Sequence, residues 1–182
     1  VFCNVATTMF GSVDNPDIYV RIFEAFQVDF KIHLDAAFGG FIYPIVQPNN
    51  NVNFQNPNIS SVTLDAHKML QAPYGTGMFI ARKGLIKHVM TEEASYVHGM
   101  DVTLCGSRSG ANAIAIWMIL SAYGPYSWYE KMNTLLYRTN WACKQLDEMG
   151  VQYFRNPAMN IITIKAKYVS EKVAEQYGLV PD

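Results

Sequence analysis

At 182 residues, half of them hydrophobic and 13% aromatic, the chain is long and apolar enough for one domain with a sizeable core. Charged residues are only 16% and the formal net charge is -1, which excludes the basic footprint of a nucleic-acid or anionic-membrane binder. The longest apolar run, Ala111 to Tyr123, is interrupted by Asn112 and Ser121 and is too short to span a bilayer.

Strand and helix patterns alternate along the chain. Val1 to Ala6 reads as a strand already in progress, so the chain is expected to be a piece of a longer polypeptide. Asn15-Pro16 is a helix start, with Asn as N-cap and Pro at the first helical position. Ile18, Ile22, Phe23 and Phe26 then recur at helical spacing. Phe30 to Leu34 is a short apolar strand, and a polar loop containing Asn49-Asn50-Asn51 comes next. Ser61 to Leu64 and Gly77 to Arg82 are the next strands. A helix from about Ser109 to Ala122 is broken by Gly124-Pro125, and a second runs from about Ser127 to Met149. The tail reads strand (Val151 to Arg155), strand (Asn160 to Lys165), helix (Val169 to Tyr177).

Strands separated by helices predict an α/β fold: a mainly parallel sheet with helices on both faces. Residues 1–124 are expected to be part of a large domain, and 125–182 a linking helix and the start of a small α+β domain. The three cysteines, Cys3, Cys105 and Cys143, are odd in number and lack metal-ligand spacing, which points to a reduced, cytoplasmic protein.

Two segments carry the chemistry: His33-Leu34-Asp35-Ala36-Ala37-Phe38-Gly39-Gly40 and Ser61-Val62-Thr63-Leu64-Asp65-Ala66-His67-Lys68. Each is an apolar strand that stops at ionisable residues, one at a carboxylate and the other at an amine. Ligands of parallel sheets sit at such carboxyl ends. An Asp and a Lys placed there are what a pyridoxal phosphate site needs. The Lys forms an imine (Schiff base) with the aldehyde, and the Asp keeps the pyridine nitrogen protonated. A free Lys has a pKa of ~10.4 and becomes a nucleophile where burial or a nearby cation disfavours its charge. Lys68 follows a buried strand and sits beside His67. Ala36, Ala37, Gly39 and Gly40 are small enough for a planar ring to approach the backbone. Taken singly, the Asp is an ordinary turn former and the Lys an ordinary solvated residue. A competing reading takes His33, Asp35 and His67 as a two-His, one-carboxylate metal triad, but such triads belong to all-β barrels.

These two motifs, with Gly106-Ser107-Arg108-Ser109-Gly110 in the same order, resemble the group II pyridoxal phosphate-dependent amino acid decarboxylases of fold type I. That family includes aromatic, tyrosine, histidine and glutamate decarboxylases, and sphingosine-phosphate lyase is a near relative. The resemblance runs from about Val5 to Gly124. It implies that Lys68 carries the cofactor, that Asp35 pairs with its ring nitrogen and that Ala37 packs on one ring face. Thr8 would lie near Asp35 and the cofactor, His67 beside the imine, and Asp65 at the phosphate end. Ser107 would reach the phosphate of the opposite subunit, implying a homodimer, although it also suits a helix N-cap. Tyr96 is the candidate general acid and His98 a second one; an exposed loop tyrosine would read the same way. Ala66 and Met69 depart from the family, where Pro and, in aromatic decarboxylases, Trp are usual.

The resemblance therefore implies decarboxylation of an L-amino acid to its amine. The remainder of the polypeptide, or a second chain, would complete the site, because nothing before Thr7 supplies a phosphate-binding turn or a ring-stacking residue. A carbon–carbon lyase is the alternative enzyme, and a non-catalytic interaction fragment is the alternative of another class.

Overall fold

The structure is a computed structural model and describes residues 1–88, 90 and 108–179. Four strands form one sheet in the order β1 (Phe2–Asn4), β2 (Ile32–Asp35), β3 (Ile59–Asp65) and β4 (Gly77–Ala81). The first three are parallel and β4 returns antiparallel to β3, so the sheet is mainly parallel as the alternation predicts.

Helix α1 (Pro16–Ala25) joins β1 to β2. Asn15 caps it, its side chain accepting from the Asp17 N–H at 3.1 Å, and Pro16 opens the first turn. The stripe that predicts this helix does not face the core, however. Ile18, Ile22 and Phe26 are exposed, while Val20 packs against Cys3, Leu34 and Val62 of the sheet. Phe23 stacks instead on Phe30, with ring centroids 5.4 Å apart. Periodicity identifies the helix correctly, but this chain buries a different side of it.

The segment after β2 is more ordered than a polar loop: it makes a helical turn at Gly39–Phe41 and the short helix α2 (Tyr43–Val46). Arg82, just past β4, staples the approach to β3. Its guanidinium donates to the carbonyls of Ile59 (2.6 Å), Phe54 (2.9 Å) and Asn56 (2.8 Å), fixing the path by which the chain enters that strand.

Helix α3 (Gly110–Glu148) is interrupted at Gly124, where φ is 62° and ψ 174°, immediately before Pro125. That backbone is cheap only for glycine, so the break falls where the sequence predicts it. Beyond it, Trp128 and Met132 pack on Ile42, Ala66 and Leu70, the last two in the turn after β3. The Trp128 indole N–H donates to the Phe41 carbonyl at 3.2 Å. The tail forms an antiparallel pair, β5 (Tyr153–Phe154) with β6 (Thr163–Ile164), then α4 (Glu171–Tyr177), the expected strand-strand-helix order. No helix among the described residues is long and apolar enough to cross a membrane.

Candidate active site

Register places three strand ends side by side. Asn4 pairs with Asp35, and Asp35 with Thr63. The chain leaving β1 (Val5 to Thr8), β2 (Ala36 to Gly40) and β3 (Ala66 to Leu70) therefore emerges along one edge of the sheet. Asp35 and Lys68 both lie there, Asp35 closing β2 and Lys68 three residues past the end of β3.

The Asp35 side chain is exposed at the edge, and one carboxylate oxygen accepts the Ala37 N–H at 3.1 Å. Its other oxygen has no hydrogen-bond partner among the described residues. Backbone bonds lock the two motifs together: Ala36 donates to Thr63 (3.0 Å), and Asp65 donates to Ala37 (3.2 Å). The two glycines serve this packing rather than leaving room for a ring. The Gly39 N–H donates to the Val5 carbonyl at 3.1 Å. A Cβ on Gly39 would lie 2.8 Å from the Val5 carbonyl carbon and 2.9 Å from Ala6 Cβ. A Cβ on Gly40 would strike the Leu64 side chain and sit 3.0 Å from Ala36 Cβ.

After β3 the chain turns tightly, with the Lys68 N–H donating to the Asp65 carbonyl (3.1 Å) and Ala72 to Ala66 (3.0 Å). The turn brings Lys68 Nζ within 3.0 Å of Asp65 Oδ2, while His67 Nε2 is 3.8 Å from the same oxygen. Asp65 thus pairs with Lys68, and His67 lies beside the same carboxylate without a hydrogen bond to it. His67 Nδ1 is buried and has no partner among the described residues. The imidazole ring lies against Tyr74, centroids 5.2 Å apart. Nothing in the local sequence marks Tyr74 as a site residue; it arrives through the turn that precedes β4.

Thr8 follows a strained corner. Ala6 has φ 74°, and the Ala6 and Thr7 N–H groups both donate to the Ser12 carbonyl (3.1 and 3.0 Å). Thr8 lines a cavity of about 510 Å³ with Met9, Ile162 and Ile164. His33 is occupied within the sheet: its Nδ1 is 2.8 Å from Ser61 Oγ and its Nε2 3.1 Å from Thr63 Oγ1. Both ring nitrogens are thereby spent, and the metal-triad reading loses its first ligand. Burial pushes the His33 imidazole pKa below its usual value, with Asp35 opposing. Tyr96, His98 and Ser107 lie outside the described residues.

Chemically, among the described residues the edge presents a primary amine paired with Asp65, a carboxylate with one oxygen unbonded, and an imidazole whose buried Nδ1 lacks a partner. This donor set suits a cofactor with an aldehyde and a ring nitrogen, which is what pyridoxal phosphate offers.

Residues 1–161 match the family model described as the pyridoxal-dependent decarboxylase conserved domain. The chain is similar to a tryptophan decarboxylase of Clostridium sporogenes, 57% identical over 182 residues, all of this chain and 44% of the relative. It is also similar to a probable L-tyrosine/L-aspartate decarboxylase of Methanocella arvoryzae, 33% identical over 88% of this chain and 43% of the relative. The chain thus spans less than half the length of these curated relatives. Among solved structures, the L-methionine decarboxylase of Streptomyces superimposes with a TM-score of 0.76 at 19% identity, covering 99% of this chain and 45% of that one. Lactobacillus brevis glutamate decarboxylase gives 0.75 at 22% identity, covering 86% of this chain and 37% of that one.

Proposed function

We propose that this chain, which belongs to the pyridoxal-dependent decarboxylase family, supplies the lysine-bearing part of an active site that decarboxylates an L-amino acid, with tryptophan as the substrate. One observation carries the chemistry: Lys68 and Asp35 stand at the same edge of a parallel sheet, on turns joined by the Asp65–Ala37 backbone bond. The substrate rests on the 57% identity to the tryptophan decarboxylase.

Bound here, pyridoxal phosphate supplies an electron sink for the pair left when the bond from the α-carbon to the carboxylate breaks. Lys68 would hold the cofactor through its amine. Asp35 would pair with the ring nitrogen through the oxygen that has no partner among the described residues, and Ala37 would lie against the ring. Asp65 pairs with Lys68 at 3.0 Å and would stand at the phosphate end of the cofactor, with His67 beside Lys68 and Thr8 near Asp35. Tyr96 delivers the proton to the α-carbon, with His98 as the second donor of suitable type. Ser107 binds the phosphate of a neighbouring subunit, so the working unit is a homodimer. Residues 1–124 belong to the cofactor-binding domain and 125–182 to a linking helix and small domain. The rest of the site comes from the remainder of a longer polypeptide or from a second chain. The protein acts in the cytoplasm, in keeping with the buried thiols of Cys3 and Cys143, which are free among the described residues.

The carbon–carbon lyase reading is not favoured, because these curated relatives are decarboxylases. The test uses the intact polypeptide that carries this chain, incubated with L-tryptophan. Tryptamine and carbon dioxide are the expected products, and Lys68→Ala should form neither. Decarboxylation of a different amino acid alone would overturn the substrate; release of an aldehyde without carbon dioxide would overturn the reaction.

A further inference from the structure

Three side chains of the C-terminal segment reach back to the turns that carry the candidate site. Asn156 Nδ2 donates to the Gly11 carbonyl at 3.1 Å across 145 residues of sequence. Its Oδ1 accepts the Ala158 N–H at 3.0 Å, so the amide is held at both ends. The Thr163 hydroxyl donates to the Met9 carbonyl. These two long-range bonds hold the chain just beyond Thr8. The fit is close: Gly11 has φ 62°, and a Cβ there would lie 3.3 Å from both Met159 Cβ and Ile161 Cβ.

The same segment touches the other turn. Met159 is fully buried in the cluster that holds Ala66 and Leu70. Asn160 Nδ2 lies 4.0 Å from the Sδ of Met69, the residue after Lys68. Asn160 Oδ1 is buried without a partner among the described residues. A polar side chain kept in such a place costs stability, which argues for a positional reason to have it.

We propose that residues 156–163 act as a clamp that fixes the Thr8 turn relative to the Lys68 turn, with Asn156, Asn160 and Thr163 as positioning residues. The inference rests on the proposed function, in which both turns serve one cofactor. Groups that must meet the same small molecule tolerate little relative movement. A displacement of about 1 Å costs up to a hundred-fold in rate.

The test uses the intact holoenzyme and shape-matched pairs. Thr163→Val removes the hydroxyl bond and keeps the volume, while Thr163→Ser keeps the bond. Asn156→Asp keeps the acceptor for Ala158 and loses the donor to Gly11. Each variant is assayed for kcat and KM, for the pH profile of the visible cofactor band, for borohydride-fixed label on Lys68, and for melting temperature. The clamp predicts that Thr163→Val and Asn156→Asp lower kcat about ten-fold with KM little changed. It also predicts a displaced pH profile in both, wild-type labelling, a melting temperature lowered by the lost hydrogen bond but still well above the assay temperature, and wild-type behaviour in Thr163→Ser. An unchanged kcat per labelled site and an unchanged pH profile in both variants would overturn it, as would a loss explained by melting temperature alone. If Thr163→Val fails to fold, Asn156→Asp and Asn160→Leu decide by the same readouts. Lys68 labelled in the wild type with insensitive variants overturns the clamp only; no label on Lys68 in the wild type overturns the underlying function and the clamp with it.

Discussion

The Asp65 N–H donates to the Ala37 carbonyl at 3.2 Å, joining the turn after β2 to the last residue of β3. Through this bond, the placement of Asp35 and that of Lys68 become one problem. Asp35 is fixed by its own bond to Ala37, and Lys68 by its ion pair to Asp65. Three contacts in series therefore connect the Asp35 carboxylate to the Lys68 amine.

Gly39 is expected to tolerate no side chain. An alanine there meets backbone at Val5, which cannot move without disturbing β1, so Gly39→Ala should cost about 1–3 kcal/mol. Gly40→Ala meets mainly the movable end of Leu64 and should cost less. Denaturant midpoints of the two variants, measured side by side, check the order.

Asp35→Asn keeps shape and the bond to Ala37 but removes the charge. The expected result is a roughly hundred-fold or greater loss of kcat, the size of loss seen when one preorganised electrostatic group is removed. Retained cofactor absorbance would separate this from a binding defect. Near-normal kcat in Asp35→Asn would contradict the role assigned to Asp35.

Arg82 donates to three carbonyls at the entrance to β3. Arg82→Ala should destabilise the protein by roughly 2–3 kcal/mol, since the acceptors lose a charged donor. Arg82→Lys should not rescue it, because an ammonium lacks the planar fork that reaches several acceptors at once. Thermal melts of both variants decide.

His33 gives the fold a pH dependence of known sign. Its folded pKa is lowered, chiefly by burial, so the unfolded chain takes up a proton first as the solution is acidified. The stability that His33 contributes is present above the unfolded value of ~6.5 and is lost as pH falls through the lowered folded pKa. Denaturant midpoints measured from pH 8 down to 5 should fall, and His33→Gln should flatten that fall. An equal slope in the variant would place the effect elsewhere.

Much of this is legible in the residues because it is local. Asn15-Pro16 caps α1, Gly124-Pro125 breaks α3, and apolar runs ending at Asp35 and Asp65 mark two adjacent parallel strands. The features that are not legible depend on distant partners. The exposed Ile18–Ile22–Phe26 stripe looks like a core face until the sheet chooses Val20. Gly39 and Gly40 look like space for a ligand until Val5 and Leu64 fill it. Tyr74 and Asn160 reach the site through a turn and a C-terminal segment that no spacing rule connects to Lys68.

The central claim is that Lys68 is the residue that holds the cofactor. Reduction of the intact protein with labelled borohydride and subsequent peptide mapping test it most directly. The expected result is loss of the visible absorbance with label on the peptide containing Lys68, and no absorbance or label in Lys68→Ala. Label on another lysine, or absorbance that survives in Lys68→Ala, would contradict it.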